Sequence, residues 1–289
     1  MSEMPLTDPA VIRELLGRHG FRFSKALGQN FLIDPDVPAA IADFAPFTEE
    51  DAVLEIGPGI GTLTVKLAER AGKVLCVELD ERLRPIHKET LSDHPNVEAV
   101  FADAVKTDLA ALCMAHDGEK RWHICANLPY NVTTPLLTSI LRSRFFESVT
   151  VMIQREVAER ILAAPGTADY GSFTVLCGWY AEVRRGFDVT PDCFMPQPKV
   201  TSSVLTLYRR SEPPCECGDE EFFFRCVRAA FNQRRKALPN ALTAGINDIT
   251  KDNVRRALLD MGLEETIRGE RLSIPQFCEL SELLLRRME

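Results

Sequence analysis

The sequence predicts an α/β domain followed by a smaller all-α domain, and three observations carry that expectation. From about residue 50, short apolar runs alternate with helical patterns, which is how the strands and crossover helices of a parallel sheet read. One run leads into a glycine-rich turn, Gly57-Pro58-Gly59-Ile60-Gly61, and another ends on Asn127-Leu128-Pro129-Tyr130. Beyond Ser211-Glu212-Pro213-Pro214-Cys215-Glu216-Cys217-Gly218-Asp219, a stretch that breaks every periodicity, only helical spacing remains. The expected boundaries are 1–210 for the first domain, including a helical N-terminal extension over about 1–24, and 219–289 for the second.

Each element has a local reason. A short amphipathic helix is expected near the N-terminus, with Thr7 as N-cap, Pro9 in the first turn and Gly17 or Gly20 as the stop. Strands are expected at Ala52–Ile56, Val74–Leu79, Val97–Phe101, His123–Ala126 and Val149–Ile153. Helical patterns occupy Leu63–Ala71, Glu81–Leu91, Pro135–Leu141 and Gln154–Ala164. Phe173–Tyr180, Ala181–Val189 and Thr201–Tyr208 read as extended and would add antiparallel strands at one edge. In the last part, Phe222, Phe223, Cys226, Val227 and Ala230 share a helical face. In the final helix Ser273 caps, Pro275 sits early, and Phe277, Leu280, Leu283 and Leu284 follow at 3–4 spacing.

Composition bounds the function. The chain has 289 residues, 45% hydrophobic and 26% charged, an ordinary globular balance with room for a well-buried core. No stretch approaches the roughly 18 continuous apolar residues of a membrane span, and the N-terminus reads as neither a signal nor a transit peptide. Three of the nine cysteines, Cys76, Cys125 and Cys177, lie in apolar runs, and no C-x-x-C occurs. Without a second ligand pair, Cys215-Glu216-Cys217 is a poor metal site, so no metal is expected, and the cysteine usage fits a reduced, cytoplasmic protein. The net charge of −8 weighs weakly against nucleic acid, but binding follows local patches. Candidate patches are Arg22/Lys25, Arg184-Arg185, Arg209-Arg210 and Gln233-Arg234-Arg235-Lys236, although each such patch alone is more often a solvated face.

The chemistry gathers at strand ends. Asn127-Leu128-Pro129-Tyr130 places an amide, a turn and an aromatic ring at the carboxyl end of a buried strand, where open α/β sheets bind ligands. The amide and nearby carbonyls can accept from an exocyclic amine, and the ring can stack on a base; an ordinary strand-ending turn would look similar. The glycine turn is G-x-G-x-G, unlike the G-x-G-x-x-G that presents a helix N-terminus to a pyrophosphate. Glu78 ends the next strand, placed to accept from ribose hydroxyls, and Asp103 ends the third, placed to accept from an adenine amine. Two such acids and no phosphate-binding helix start suit an adenosine without phosphate. S-adenosylmethionine fits this description and NAD does not.

In these residues the chain resembles the ribosomal RNA adenine N6-dimethyltransferases, and among them the bacterial small-subunit enzymes. The motifs are Lys25-Ala26-Leu27-Gly28-Gln29-Asn30-Phe31-Leu32, the Glu55–Gly61 turn, Val77-Glu78-Leu79-Asp80, Asn127-Leu128-Pro129-Tyr130-Asn131, Phe194-Met195-Pro196-Gln197-Pro198-Lys199-Val200-Thr201-Ser202 and Phe231-Asn232-Gln233-Arg234-Arg235-Lys236. The resemblance covers nearly the whole chain and implies a Rossmann-like methyltransferase domain using S-adenosylmethionine, with a helical RNA-binding domain. It implies that Asn30 and Leu32 fold over the cofactor and that Gly57 and Gly59 line its methionine side. Glu78 would hold the ribose, Asp103 the cofactor's adenine, and Asn127 would stand between cofactor and target. Asn127 Oδ1 and the Leu128 carbonyl would accept the two N6 hydrogens, Tyr130 and Phe194 would sandwich the target adenine, and Arg234, Arg235 and Lys236 would grip phosphates. The implied partner is 16S rRNA in the small subunit, and a monomer is expected. Two rivals stay open: a large-subunit rRNA methyltransferase of the macrolide-resistance type, and a mainly non-catalytic ribosome-assembly factor.

Overall fold

Apolar strands that are buried on both faces need cover on both, and the chain supplies it with crossover helices. The computed structural model describes residues 4–24 and 28–288. They form two compact units, one from the described residues up to Ala158 together with Glu182–Arg209, the other from Glu159–Ala181 together with the described residues from Arg210 onward.

The first unit begins with α1 (Pro9–Arg18), β1 (Phe31–Leu32) and α2 (Asp36–Phe44). Asp8, not Thr7, caps α1: its carboxylate accepts from the Ala10 N–H at 2.7 Å, and Pro9 takes the first helical position. A carboxylate is also favoured there by the helix dipole. Gly20, at φ +61°, ends the turn after it. The alternation that follows is β2 (Ala52–Ile56), α3 (Thr62–Ala68), β3 (Lys73–Glu78), α4 (Arg84–Thr90), β4 (Val97–Phe101), α5 (Leu109–His116), β5 (Trp122–Asn127), α6 (Thr133–Ser143), β6 (Ser148–Gln154) and α7 (Arg155–Leu162). All five residues of β2 are buried. Later in the chain α8 (Ser172–Tyr180), β7 (Ala181–Val189), β8 (Phe194–Met195) and β9 (Ser202–Arg209) follow.

Seven strands make the main sheet, in the order β4-β3-β2-β5-β6-β9-β7. β2 pairs in parallel with β3 on one side and β5 on the other, and β9 joins β6 antiparallel from Ser148↔Tyr208 to Gln154↔Ser202. The chain therefore runs outward from β2 through β3 to β4, then returns across the sheet to β5. The carboxyl ends of β2 and β5 flank that reversal, which opens a crevice there. A separate two-stranded ladder pairs Phe31 with Met195 and Leu32 with Phe194, so the segment after α1 is tied to the segment before β9.

The second unit is helical. One expectation is corrected here: Phe173–Tyr180 is the helix α8, not a strand. An apolar run buried all round carries no periodicity to separate the two states. Its start is fixed by the Thr174 hydroxyl, which accepts from the Gly171 N–H at 3.0 Å. Its end is fixed by α9 (Glu220–Asn232): Trp179 stacks on Phe223 at 4.3 Å between centroids, and Tyr180 on Phe224 at 5.8 Å. Trp179 Nε1 donates to Glu220 at 3.1 Å, and the Tyr180 hydroxyl donates to the same carboxylate. These contacts make Glu159–Ala181 part of the helical unit, although it lies within the span the sequence assigns to the first domain. α10 (Leu238–Gly245), α11 (Lys251–Asp260) and α12 (Ile274–Leu285) complete it. Ser273 caps α12 as the sequence reads, accepting from the Gln276 N–H at 3.4 Å. At Gly178, inside α8, a Cβ would lie 2.7 Å from Ile274 Cδ1, so the tip of that side chain would have to move to admit one.

Candidate active site

A cavity of about 150 Å³ lies in the crevice at the carboxyl ends of the central strands. It brings together Asn30, Leu32, Gly57, Gly59, Glu78, Asp103, Asn127, Leu128 and Tyr130. Each arrives by a simple route. Gly57, Gly59 and Gly61 all have positive φ, +71°, +61° and +95°, which turns the chain from β2 into α3 inside five residues. At Gly59 the turn also passes so close to Phe31 that a Cβ would stand 3.0 Å from its ring.

Glu78 ends β3 and is 6% exposed. Its Oε1 accepts from the Asp80 N–H at 2.7 Å and its Oε2 from the Gly59 N–H at 3.3 Å, so its position is set by backbone on two sides. Burial pushes its pKa above the ordinary carboxylate value. Asp103 is the more open acid. A hydrogen bond from Lys106, 3.1 Å away, and one from the Val105 N–H at 3.0 Å hold its pKa low, so it is an ionised acceptor. Asn30 Nδ2 donates to the Gly28 carbonyl at 2.9 Å. Lys25, Ala26 and Leu27, the start of that motif, lie outside the described residues.

Asn127 is the last residue of β5, and the Leu128 N–H returns to the Met152 carbonyl at 3.1 Å. Pro129 brings no N–H, and its carbonyl accepts from the Val132 N–H at 3.2 Å, closing the turn into α6. Among the described residues, no hydrogen bond involves the Asn127 side-chain amide. The Tyr130 hydroxyl lies 2.7 Å from Ser202 Oγ, which fixes the ring to the start of β9, and burial raises its pKa, so the phenol stays protonated.

Phe194 departs from its expected place. It is 3% exposed, belongs to a core cluster with Leu32, Val37, Ile41 and Val204, and does not line the cavity. Strand pairing explains this: as the partner of Leu32, it is held where its ring completes the core beneath the β1–β8 ladder. Arg234 departs too. Its Nε donates to Glu270 at 2.6 Å and its Nη2 to the Thr167 carbonyl at 3.0 Å, so it braces loops of the helical unit. Arg235 and Lys236 are exposed. Two further basic pairs each commit one member to an ion pair, Arg185 with Asp188 and Arg209 with Glu147.

Several residues that build the site stand in the motifs read from the sequence but receive no role there. Gln29 Nε2 donates to Asp80 at 2.8 Å, and Arg82 grips the same carboxylate through Nε at 2.8 Å and Nη2 at 2.6 Å. Glu55 lines the cavity floor at 2% exposure; burial raises its pKa from an ordinary 4.5 to about 8, so it is mostly neutral at pH 7. An acid inside an otherwise apolar strand was the available signal.

The family model for ribosomal RNA adenine dimethylase matches residues 20–285. The chain belongs to that family. It is 43% identical over 282 residues to the ribosomal RNA small subunit methyltransferase A of Shouchella clausii, spanning 96% of this chain and 95% of that one. The protein of the same name from Geobacillus thermodenitrificans is 44% identical, spanning 97% of each. Among solved structures, the 23S rRNA methyltransferase ErmE is 30% identical over 88% of this chain and 99% of its own, with a TM-score of 0.67. A dimethyladenosine transferase from Plasmodium falciparum is 25% identical over 86% and 95%, with a TM-score of 0.70. This is a family of S-adenosylmethionine-dependent methyltransferases, and the cavity's donor set suits that molecule. Glu55, Glu78 and Asp103 line it and no Lys or Arg does, among the described residues. A cationic, phosphate-free nucleoside is at home there, whereas a pyrophosphate would meet acids and no cationic side chain.

Proposed function

We propose that this chain dimethylates N6 of two adjacent adenines in the loop of the 3′-terminal stem of 16S rRNA, within the small ribosomal subunit. The observation that carries the reading is the shared cavity: the Asn127–Tyr130 turn opens onto the same space as Glu78 and Asp103. Glu78 accepts from the ribose hydroxyls, Asp103 from the cofactor's adenine amine, and Asn30 and Leu32 form the wall contributed by the N-terminal segment. S-adenosylmethionine, when bound, supplies an electrophilic sulfonium methyl.

The residues around the target act by position. The amine of adenine is a weak nucleophile because its lone pair is delocalised into the ring. Asn127 Oδ1 and the Leu128 carbonyl accept its two hydrogens and so turn the lone pair outward. Acceptors fixed in advance stabilise the positive charge that grows on N6 more than they stabilise the ground state. The Tyr130 ring, clamped through Ser202, offers a face to the base and to that charge. No general base of shifted pKa is needed, since alkylated N6 is acidic and water can take its proton. Phe194 supports β1 from the core and is not assigned a face of the base. A loop adenine loses less on leaving its stack than a paired one, which makes it the easier base to bring to this turn. Arg235 and Lys236 engage phosphates from the helical unit.

Transfer of labelled methyl from S-adenosylmethionine to unmodified small subunits, with large-subunit RNA alongside, tests the reading. Dimethyladenine at the two loop positions is the expected result. Label on large-subunit RNA alone would replace it with the resistance-type activity, and label on neither would leave an assembly factor. The closer likeness to small-subunit enzymes, 43–44% against 30% identity to ErmE, favours the first outcome.

A further inference from the structure

The glycine turn has little rigidity of its own. Three positive-φ glycines within five residues leave its peptide planes free to rotate, so its shape depends on what anchors it. Backbone holds its two ends: the Gly57 N–H donates to Val77 at 2.9 Å, and Gly61 donates to Pro58 within the turn at 3.0 Å and accepts from the Val65 N–H at 3.1 Å. Between them, the Gly59 N–H donates to Glu78 Oε2. Among the described residues, one side chain donates to the turn: His87 on α4, with Nε2 2.8 Å from the Gly59 carbonyl.

That bond fixes the histidine's state. A carbonyl can only accept, so Nε2 carries the proton and neutral Nδ1 is bare. Nδ1 is buried and has no hydrogen-bond partner. The ring also stands 5.4 Å from the Phe101 ring, on which the Arg84 guanidinium rests at 4.1 Å. Phe101 closes β4, two residues before Asp103. One imidazole thus touches the turn after β2 and the end of β4, and reaches the end of β3 through the two sides of Gly59.

We propose that His87 is a positioning residue for the nucleoside half of the site. By holding the Gly59 carbonyl it fixes the peptide plane that follows Gly59, while Glu78 holds the plane that precedes it; with the residue gripped on both sides, the N–H stays aimed at the Glu78 carboxylate that faces the ribose. It touches neither methyl donor nor base, so its contribution falls on cofactor affinity and not on the chemical step. This rests on the proposed function, from which Glu78 takes its role.

The test uses the full chain and S-adenosylhomocysteine as the titrant, with initial rates on unmodified small subunits. His87→Leu keeps volume and removes the donor; His87→Gln replaces it with an amide N–H of similar reach. Loss of one neutral hydrogen bond predicts that His87→Leu weakens the nucleoside and raises the KM for S-adenosylmethionine by about tenfold. The kcat should stay within about twofold, and His87→Gln should recover most of the loss. Unchanged affinity in His87→Leu, an equal defect in His87→Gln, or a loss confined to kcat would each overturn the role. Should His87→Leu not fold, the glutamine variant and the nitrogen NMR shifts of the wild-type ring decide: near-wild-type affinity in the first and an Nε2–H tautomer in the second are expected. Weakened binding in His87→Gln or an Nδ1–H tautomer would refute it. Failure of the wild type itself to bind the titrant would sink the proposed function, and this inference with it.

Discussion

The two ends of the central sheet carry similar residue types and do opposite things. At the amino end, Asp51 precedes β2, His123 lies in β5 and Ser148 opens β6. Ser148 Oγ is 2.7 Å from His123 Nδ1, and His123 Nε2 is 3.8 Å from Asp51 Oδ2. By composition this is a serine–histidine–aspartate set. Yet the three are 1%, 6% and 1% exposed, and Asp51 Oδ2 is taken by the Thr48 N–H and hydroxyl at 2.8 and 2.9 Å. At the carboxyl end, Asn127, Glu78 and Asp103 are chemically plainer but open onto a cavity. Access marks the reactive end; the amino end is sealed, even though His123 Nε2 is left there without a hydrogen-bond partner.

Variants at each end should separate the two. The largest effect belongs to Asn127→Ala: kcat falls roughly 10²–10³-fold or more, as when one preorganised transition-state partner is removed, while S-adenosylhomocysteine binds within about threefold of wild type. Turnover near wild type would erase the distinction at its strongest point. Next is Glu55→Gln, an acid at the reactive end that costs stability. Its folded pKa of about 8 exceeds the ordinary 4.5, so between those values the folded state holds a proton that the unfolded state has released. Wild-type stability therefore falls as pH rises from about 4.5 to about 8, by on the order of a few kcal/mol. Denaturant melts should show Glu55→Gln more stable at pH 8 and flatter with pH; parallel curves for the two proteins would refute the buried neutral acid.

At the amino end, Ser148→Ala should lower stability by about 1–2 kcal/mol through the unpaired histidine, with kcat/KM unchanged once folded. A lowered kcat/KM in the folded variant would give that cluster a share in the chemistry. The smallest effect concerns the helical unit. Replacing Arg235 and Lys236 by Gln should reduce the log–log salt slope of subunit binding by about 1.5, whereas Arg234→Gln should act mainly on stability by releasing Glu270. Equal salt effects from all three would restore Arg234 to the RNA-binding surface.

What the sequence reveals divides along similar lines. Strand ends are legible because apolar runs stop where polar residues begin, which marks Glu78 and Asn127 as strand ends; Asp103, expected to end the third strand, lies two residues beyond β4. The mostly apolar α8 could not be recognised, since periodicity vanishes when nearly every face is buried. Phe194 was misplaced because its neighbour across a ladder, Leu32, lies 162 positions away, and such pairing leaves no local mark. Arg234 and Arg235 are adjacent and chemically identical; only Glu270 and Thr167, brought near by folding, make one a brace and leave the other exposed. His87 was invisible for the same reason, its partner being the carbonyl oxygen of Gly59, an atom every residue possesses.

The short ladder of Phe31–Leu32 with Phe194–Met195 has an evolutionary consequence. Phe31 and Leu32 line the cavity, Phe194 fills the core beneath them, and Ser202, eight residues further on, holds the Tyr130 ring. The wall facing the cofactor and the wall facing the base thus share one short length of chain. Neither can drift alone among descendants: a change of side-chain volume at position 32 must be answered at 194, and an insertion between 195 and 202 would pull on Tyr130. Positions 31, 32, 194 and 195 are therefore expected to change together or not at all as the family diversifies its RNA targets.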